Sequence, residues 1–227
     1  NSKQIGRDSL LGVGVSAPSV DKRTGSLIKP PNLPNWDGYS ISKFVKHQLG
    51  LPVFIGNDAS LAALGEHRLG AGNGVENMLY YTLSTGIGGG IIIDGRLYEG
   101  KKGFAGELGH ITVEPEGRIC NCGNRGCLEL YASGPSIVRG VTEARKNGRA
   151  TSLSCDVPVS TAAVFKASSA GDRLCSEVIA KAGKYLGLGI LGAMHAFEPE
   201  RIVIGGGVSA GFDQLFPFIE QQISEHA

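Results

Sequence analysis

Cys120, Cys122 and Cys127 place three thiols in the short run CNCGNRGC, and His110 stands ten positions before the first of them. Thiolate sulfur and imidazole nitrogen are the donors of tetrahedral zinc. Four protein ligands leave no open position, so such an ion would be structural and not catalytic. The chain has only five cysteines and five histidines, so their crowding here does not follow from composition. Free thiols or a disulfide are the alternatives, but cysteines that merely fill a core do not usually sit among Asn, Gly and Arg, as these do. A nucleic-acid zinc knuckle would be small and basic and would carry stacking aromatics, and no aromatic residue lies in this run.

Carboxylates adjoin the thiols. Glu107 is three positions before His110, and Glu129 is two after Cys127. A loop tied by a metal could hold both rigidly enough to accept sugar hydroxyls in pairs, so the metal would shape a pocket without taking part in its chemistry. Asn57-Asp58 ends the apolar run LPVFIG and precedes ASLAALGEHRLG. An aspartate there is either a helix N-cap or a general base that accepts a hydroxyl proton during phosphoryl transfer. The stretch STGIGGG at 84–90 could bring backbone N–H groups against phosphate oxygens, with the Thr85 hydroxyl beside them. A strand and not a helix follows it, so it matches neither a Walker loop nor a dinucleotide fingerprint, and alone it could equally be a plain hairpin turn. GGGV at 205–208 repeats the theme after an apolar strand, and two such turns favour a nucleotide.

The elements that must position these groups are legible as periodicities. LLGVGVS reads as a buried strand, and APSVDKRTG as a turn-rich loop. The prolines of KPPNLPNW exclude helix. ISKFVKHQLG reads as a helix closed by Gly50. With LPVFIGND and the helix after it, strand and helix alternate in an α/β unit. NMLYYTLSTGIGGGIIIDGRLYEG reads as two strands around a glycine turn, with a second turn at Asp94-Gly95. GPSIVRGVTEARKNG, STAAVFKASSAG and the long DRLCSEVIAKAGKYLGLGILGAMHAF read as helices. PERIVIGGGVS reads as a strand, and FDQLFPFIEQQISEHA as the start of another helix. Gly183, Gly187 and Gly192 in the long helix imply close packing against a neighbour. A seam is expected near Gly70–Glu76, dividing the chain into 1–72 and 73–227.

Taken together, PNLPNW, the NDA at Asn57–Ala59, STGIGGG, GELGH, CNCGNRGC with Glu129, and GGGVS resemble the ROK family: repressors, open reading frames and sugar kinases of the actin-like ATPase superfamily. The motifs stand in family order over most of the chain, and GELGH with CxCGxxGCxE is highly specific. The resemblance implies an α/β, actin-like ATPase (ribonuclease H-like) fold of two lobes, with sugar and ATP in the cleft between them. It implies that Asp58 is the catalytic base and that Asn32, Asn57, Asp58, Glu107, His110 and Glu129 hold the sugar. His110, Cys120, Cys122 and Cys127 match the zinc ligands, so His110 would serve both metal and sugar. Thr85 and Gly86 match the ATP phosphate turn, and Gly205, Gly206 and Gly207 the second nucleotide turn. ATP, Mg²⁺ and a structural Zn²⁺ are the implied cofactors, and a homodimer the implied assembly.

The implied activity is transfer of the ATP γ-phosphate to the primary hydroxyl of an aldohexose, glucose or an N-acetylhexosamine. A sugar-responsive transcriptional regulator of the same family is the alternative. Regulators keep the metal loop and tend to lose an intact STGIGGG turn, so its presence with Asp58 favours a kinase. Kinases of the family open with a DxGxT-type phosphate loop, and none precedes Leu10. The fold is therefore expected to be incomplete at both ends. A net charge of +1 gives no electrostatic case for nucleic acid or an anionic membrane. No apolar run spans a bilayer, no signal core opens the chain, and an odd, uneven set of cysteines is not a secreted disulfide framework. A cytoplasmic protein is expected.

Overall fold

The structure is a computed structural model that describes residues 9–30 and 33–226. Its first part is small. Strand β1 (Val13–Ser16) pairs in parallel with β4 (Val53–Gly56). Between them come the two-residue strands β2 (Val20–Asp21) and β3 (Ser26–Leu27), an antiparallel pair, and helix α1 (Ile41–Leu49). Ser40 caps α1 by accepting the Lys43 N–H, and Gly50 closes it in the left-handed region at φ 64°. Ala17, Val20 and Leu27 make a minor core here.

The expectation for this part needs two corrections. The turn-rich stretch, 17–25, contains β2 and the turn of a β2–β3 hairpin that closes just beyond it, with strands too short to show alternation. The described residues of the proline-rich stretch include a 3-10 turn, Pro34–Trp36, with its proline at the start, where a missing N–H costs nothing.

The second part is built on a four-stranded sheet in the order β7, β6, β5, β8. Strands β5 (Met78–Leu83), β6 (Ile87–Ile93) and β7 (Arg96–Leu97) form an antiparallel meander, and β8 (Arg201–Gly205) runs parallel to β5. Asp94 and Gly95 turn the β6–β7 corner with positive φ of 51° and 69°, as the Asp-Gly pair requires. Helices α3 (Glu129–Ala132), α4 (Gly134–Lys146), α5 (Thr161–Ser169), α6 (Arg173–Phe197) and α7 (Phe212–His226) complete it. The main core gathers Tyr81, Leu83, Leu128, Ile137, Leu186 and Ile190, with other buried apolar residues of the same elements. Close packing explains two of the glycines of α6. A Cβ on Gly183 would lie 2.8 Å from the Leu215 carbonyl oxygen, and one on Gly187 would lie 2.7 Å from Gln222 Cβ, both on α7. Gly192 has no atom within 4 Å of the place its Cβ would take, so close packing does not account for it.

Helix α2 (Asp58–Leu69) joins the two parts. It leaves the end of β4, yet its small residues lie on the second sheet. Buried Ala59 and Ala63 face Gly88 and Gly90 of β6, so closely that side chains on those glycines would strike them. The glycines of β6 are what let a helix backbone lie down on the sheet.

Candidate functional site

The β4–α2 junction presents Asp58. The helix cap is Asn57, whose side chain accepts the Ser60 N–H at 3.1 Å, and Asp58 is the first helical residue. Asp58 is therefore not needed as the cap. One oxygen takes the adjacent Ala59 N–H at 2.9 Å, and the carboxylate is exposed.

Glu107 precedes a 3-10 turn, Leu108–His110, that packs on β6. A Cβ on Gly109 would collide with the Ile87 carbonyl, and one on Gly89 would lie 2.6 Å from the Gly106 carbonyl. Glycine at 89 and 109 thus seats the GELGH segment directly on the strand that follows the phosphate-type turn. Burial among the surrounding walls pushes the Glu107 carboxyl above the usual range. His110 opposes this, and the negative charges of Asp58 and Glu129 add to it. Glu107 still has an open face, as a group inside a cleft does: solvent touches it while protein surrounds it at slightly longer range.

Glu129 begins α3, and its Oε2 accepts the Ile87 N–H at 3.2 Å. The same oxygen lies where a Gly86 side chain would be. Gly86 is therefore glycine because a carboxylate from the metal-ligand loop reaches the turn at that point. Asp58, Glu107, His110 and Glu129 are one electrostatic neighbourhood, although they are spread over 72 positions of chain. Asn32 lies outside the described residues. Trp36, half exposed, meets Tyr39 edge-on with ring centroids 5.3 Å apart.

His110, Cys120, Cys122 and Cys127 bring their donor atoms within 4.8 Å of one another. The Cys122 and Cys127 sulfurs are 3.7 Å apart, and Cys120 Sγ is 3.6 Å from His110 Nδ1. Tetrahedral zinc with arms of about 2.3 Å to sulfur and about 2.0–2.1 Å to nitrogen has edges of about 3.8 Å between sulfurs and about 3.6 Å from sulfur to nitrogen. The donor set fits that ion in chemistry and in size. All three cysteines are free thiols. Bridging by Ile119 with Arg125 and by Thr112 with Cys127 closes the loop on itself. His110 turns Nδ1 to the sulfurs, which leaves Nε2 for a second partner.

Beyond the carboxylates a cleft of about 980 Å³ opens between the two glycine turns and helices α4 and α5. Thr85 and Gly207 line it. Gly86, Gly205 and Gly206 do not. Gly206, at φ 91°, is glycine because any side chain would enter the backbone of Leu83, and a Cβ on Gly205 would lie 2.7 Å from the Tyr80 hydroxyl. Both glycines draw the turn after β8 against the end of β5. Helix α4 starts at the cleft, where Ser84 accepts the Gly134 N–H at 3.0 Å. Its positive end therefore lies beside the turn, a favourable place for phosphate charge. Pro135, Val138, Val159, Phe165 and Ala210 give an apolar wall suited to a flat heterocycle, beside the polar Ser160, Thr161 and Thr142 and the charged Arg139, Glu143 and Lys146. None of these five apolar residues is singled out in the sequence, because apolar residues lining a cleft have the same pattern as those lining a core.

A family model described as the ROK family matches residues 2–227. The chain is 40% identical over 227 residues to a glucokinase of Halalkalibacterium halodurans, covering 97% of this chain and 68% of that one. It is 34% identical over 211 residues to a xylose repressor of Caldicellulosiruptor bescii, covering 91% and 52%. Among solved structures it matches a ROK family glucokinase from Streptomyces griseus in complex with glucose and AMPPNP, with TM-score 0.82 and 33% identity, covering 96% of this chain and 72% of that one. It also matches a ROK family transcriptional regulator, a homologue of the E. coli MLC protein, with TM-score 0.87 and 35% identity, covering 95% and 55%. The chain spans about two thirds of the glucokinase's length and about half of the repressor's.

Proposed function

The chain belongs to the ROK family, with the actin-like ATPase fold of its kinases, and from that premise we propose that it serves ATP-dependent phosphorylation of the primary hydroxyl of an aldohexose, glucose or an N-acetylhexosamine. The observation that carries this reading is the exposed Asp58 carboxylate, released from capping by Asn57, in the same neighbourhood as Glu107 and Glu129. Sugar hydroxyls donate to carboxylates, so the three acidic groups would orient the ring while Asp58 takes the proton of the attacking hydroxyl. The new bond forms between that oxygen and the γ-phosphorus. The bond to the β-phosphate oxygen breaks, and ADP departs with the electron pair.

Thr85 and Gly207, which line the cleft, would hold the nucleotide phosphates, while Gly86, Gly205 and Gly206 would shape the two turns behind them, with the base against the apolar wall of α4 and α5. Among the described residues the Asn57 amide N–H₂ has no partner and would donate to a hydroxyl, and Asn32 is assigned to the same sugar. Magnesium, carried by the phosphates, would supply charge neutralisation. Zinc on His110 and the three cysteines would supply rigidity alone, fixing Glu107 and Glu129 on either side of the loop. We assign the protein to the cytoplasm, where thiols of this kind stay reduced. A homodimer is part of the same family-based proposal.

The test is a coupled ADP-release assay with a panel of hexoses and N-acetylhexosamines. Turnover on one sugar, lowered at least about 10²-fold by Asp58→Ala with zinc content unchanged, is expected. Identity to a repressor gives the regulator reading its own footing, and sugar binding with neither turnover nor AMPPNP affinity would establish that reading instead.

A further inference from the structure

A second cavity, of about 460 Å³, opens between α4, α6 and the metal-ligand loop. Arg118, Arg139, Arg149 and Lys181 line it against only two carboxylates, Glu143 and Glu177. Arg118 pairs with Glu143 at 2.6 Å and Arg149 with Glu177 at 2.7 Å. Those two pairs consume both carboxylates. Arg139 is held by the Leu130 carbonyl and by Ser136 Oγ, and Lys181 stands 6.0 Å over the Tyr185 ring. Arg139 and Lys181 thus form no ion pair among the described residues, although the Glu143 charge acts on Arg139 and Tyr185 donates its hydroxyl to Glu114 at 2.9 Å, and the cavity is large enough for a small molecule. The rings of Tyr131 and Tyr185, 4.4 Å apart between centroids, form an aromatic part of the wall. We propose that this cavity is a binding site for a small phosphate monoester dianion, with Arg139 and Lys181 as its charge partners and the tyrosine pair as the seat of the group it esterifies. Arginine offers a forked pair of donors to phosphate, lysine a point charge, and aromatic faces take a sugar ring or other flat surface.

The position of the cavity gives such a ligand a route to the main site. Arg139 and Glu143 also line the 980 Å³ cleft. The short helix α3 carries Glu129, bonded to the turn at Ile87, and two residues later Tyr131, which lines the cavity and accepts the Arg118 N–H at 2.8 Å. A ligand pressing on Tyr131 acts on the helix that holds Glu129. A ligand drawing on Arg139 and Arg118 redistributes the contacts of Glu143. Binding in the cavity and nucleotide binding in the cleft are therefore coupled, and the coupling is reciprocal. This second half rests on the nucleotide reading of the cleft, whereas occupancy of the cavity does not.

The test is calorimetric titration of the whole chain at low ionic strength with inorganic phosphate and, separately, with a hexose 6-phosphate. Lys181→Glu is the discriminating variant, because Lys181 is exposed and makes no hydrogen bond among the described residues that its loss would break. Saturable binding that Lys181→Glu weakens by about tenfold or more is expected, that being the loss of roughly one charge-assisted contact. Tighter binding of the hexose phosphate than of phosphate would place the ester group on the tyrosines. Phosphate stronger than or equal to the ester would restrict the site to the anion. Absence of binding, or binding equal in wild type and Lys181→Glu, overturns the proposal. AMPPNP titrations with and without saturating hexose phosphate, in wild type and in Lys181→Glu, read the coupling, and only the part of the effect that Lys181→Glu removes belongs to this cavity. Equal AMPPNP affinity overturns the coupling alone, and no AMPPNP binding in either condition overturns the nucleotide reading while leaving the phosphate result standing.

Discussion

The substitution Gly88→Ala places a methyl group where α2 lies on β6. A Cβ at this position would be 2.8 Å from the Ala59 methyl carbon and 3.1 Å from Thr82 Cγ2. Apolar carbons rest about 3.5–4.0 Å apart, so the first turn of α2 must retreat by roughly 1 Å or the sheet must bend. Overpacking of this kind costs about 1–3 kcal/mol, and a chain of this length loses about 2–4 °C in Tm per kcal/mol. A fall of roughly 2–12 °C is therefore expected in thermal unfolding followed by circular dichroism. Ala59 is bonded to Asp58, so the carboxylate moves with it. A displacement of about 1 Å at a reacting group can cost about 10²-fold in rate, and ADP release should fall on that scale with KM for the nucleotide less affected. Gly192→Ala is the control. It sits exposed in α6 with no atom within 4 Å of the new methyl, and should gain about 0.5–1 kcal/mol from lost glycine entropy. Unchanged Tm in Gly88→Ala would refute the packing argument. A lowered Tm with unchanged kcat would refute the idea that this contact fixes the position of Asp58.

Two further outcomes follow from the geometry. Cys122→Ser removes an exposed member of the donor set, so zinc content should drop from about one per chain and Tm should fall, while Cys155→Ser, outside the set, keeps both. Equal zinc in the two variants would contradict the assignment. Burial alone would raise the Asp172 carboxyl. It titrates below the ordinary range because the Cys175 and Ser152 N–H groups and the Thr151 and Ser152 hydroxyls donate to its ionised form. A depressed folded pKa contributes stability that is present above the unfolded value of about 3.9 and is lost as pH falls below it. Asp172→Asn keeps a capping oxygen but loses the charge that four donors meet, so stability at pH 7 should fall by about 1–3 kcal/mol, read as a lowered Tm. The gap to wild type should narrow in unfolding scans run below about pH 4, and a gap that stays constant into strong acid would contradict this account.

What the sequence disclosed tracks the range of the interaction responsible. Gly50 closing α1, the Asp94-Gly95 corner and the 25-residue periodicity of α6 depend on neighbours in the chain, and all are found in the structure. The cluster of His110 and three cysteines is legible for the same reason, since three of its donors lie within one turn-rich loop. The nearness of Asp58 to Glu107 and Glu129 follows from the family resemblance but from no local pattern, because α2 brings Asp58 there by crossing to the second sheet. The glycines of 84–90 suggest phosphate in the sequence, whereas in the structure several of them make room for packing. Gly88, Gly89 and Gly90 admit Ala59, the Gly106 carbonyl and Ala63. A missing side chain is visible in sequence, but what occupies its place is not. The wall formed by Val138 and Phe165 is silent for a related reason, as burial in a core and exposure to a ligand select the same residues.

The crossing of α2 has a mechanical consequence. Its anchors, Ala59 and Ala63, fix the helix to β6, while β4 is fixed by its ladder to β1. The ladder runs to Gly56 and the helix begins at Asp58, so only Asn57 lies between the two elements. If the small sheet swings over a bound sugar, the rotation on this side of the molecule must pass through that joint, and Asp58 rides with the larger body. Asp58 and the glycine turns would then share one frame of reference at every degree of opening. Motion would bring the first part of the chain to the cleft without disturbing the alignment of the groups already assembled there.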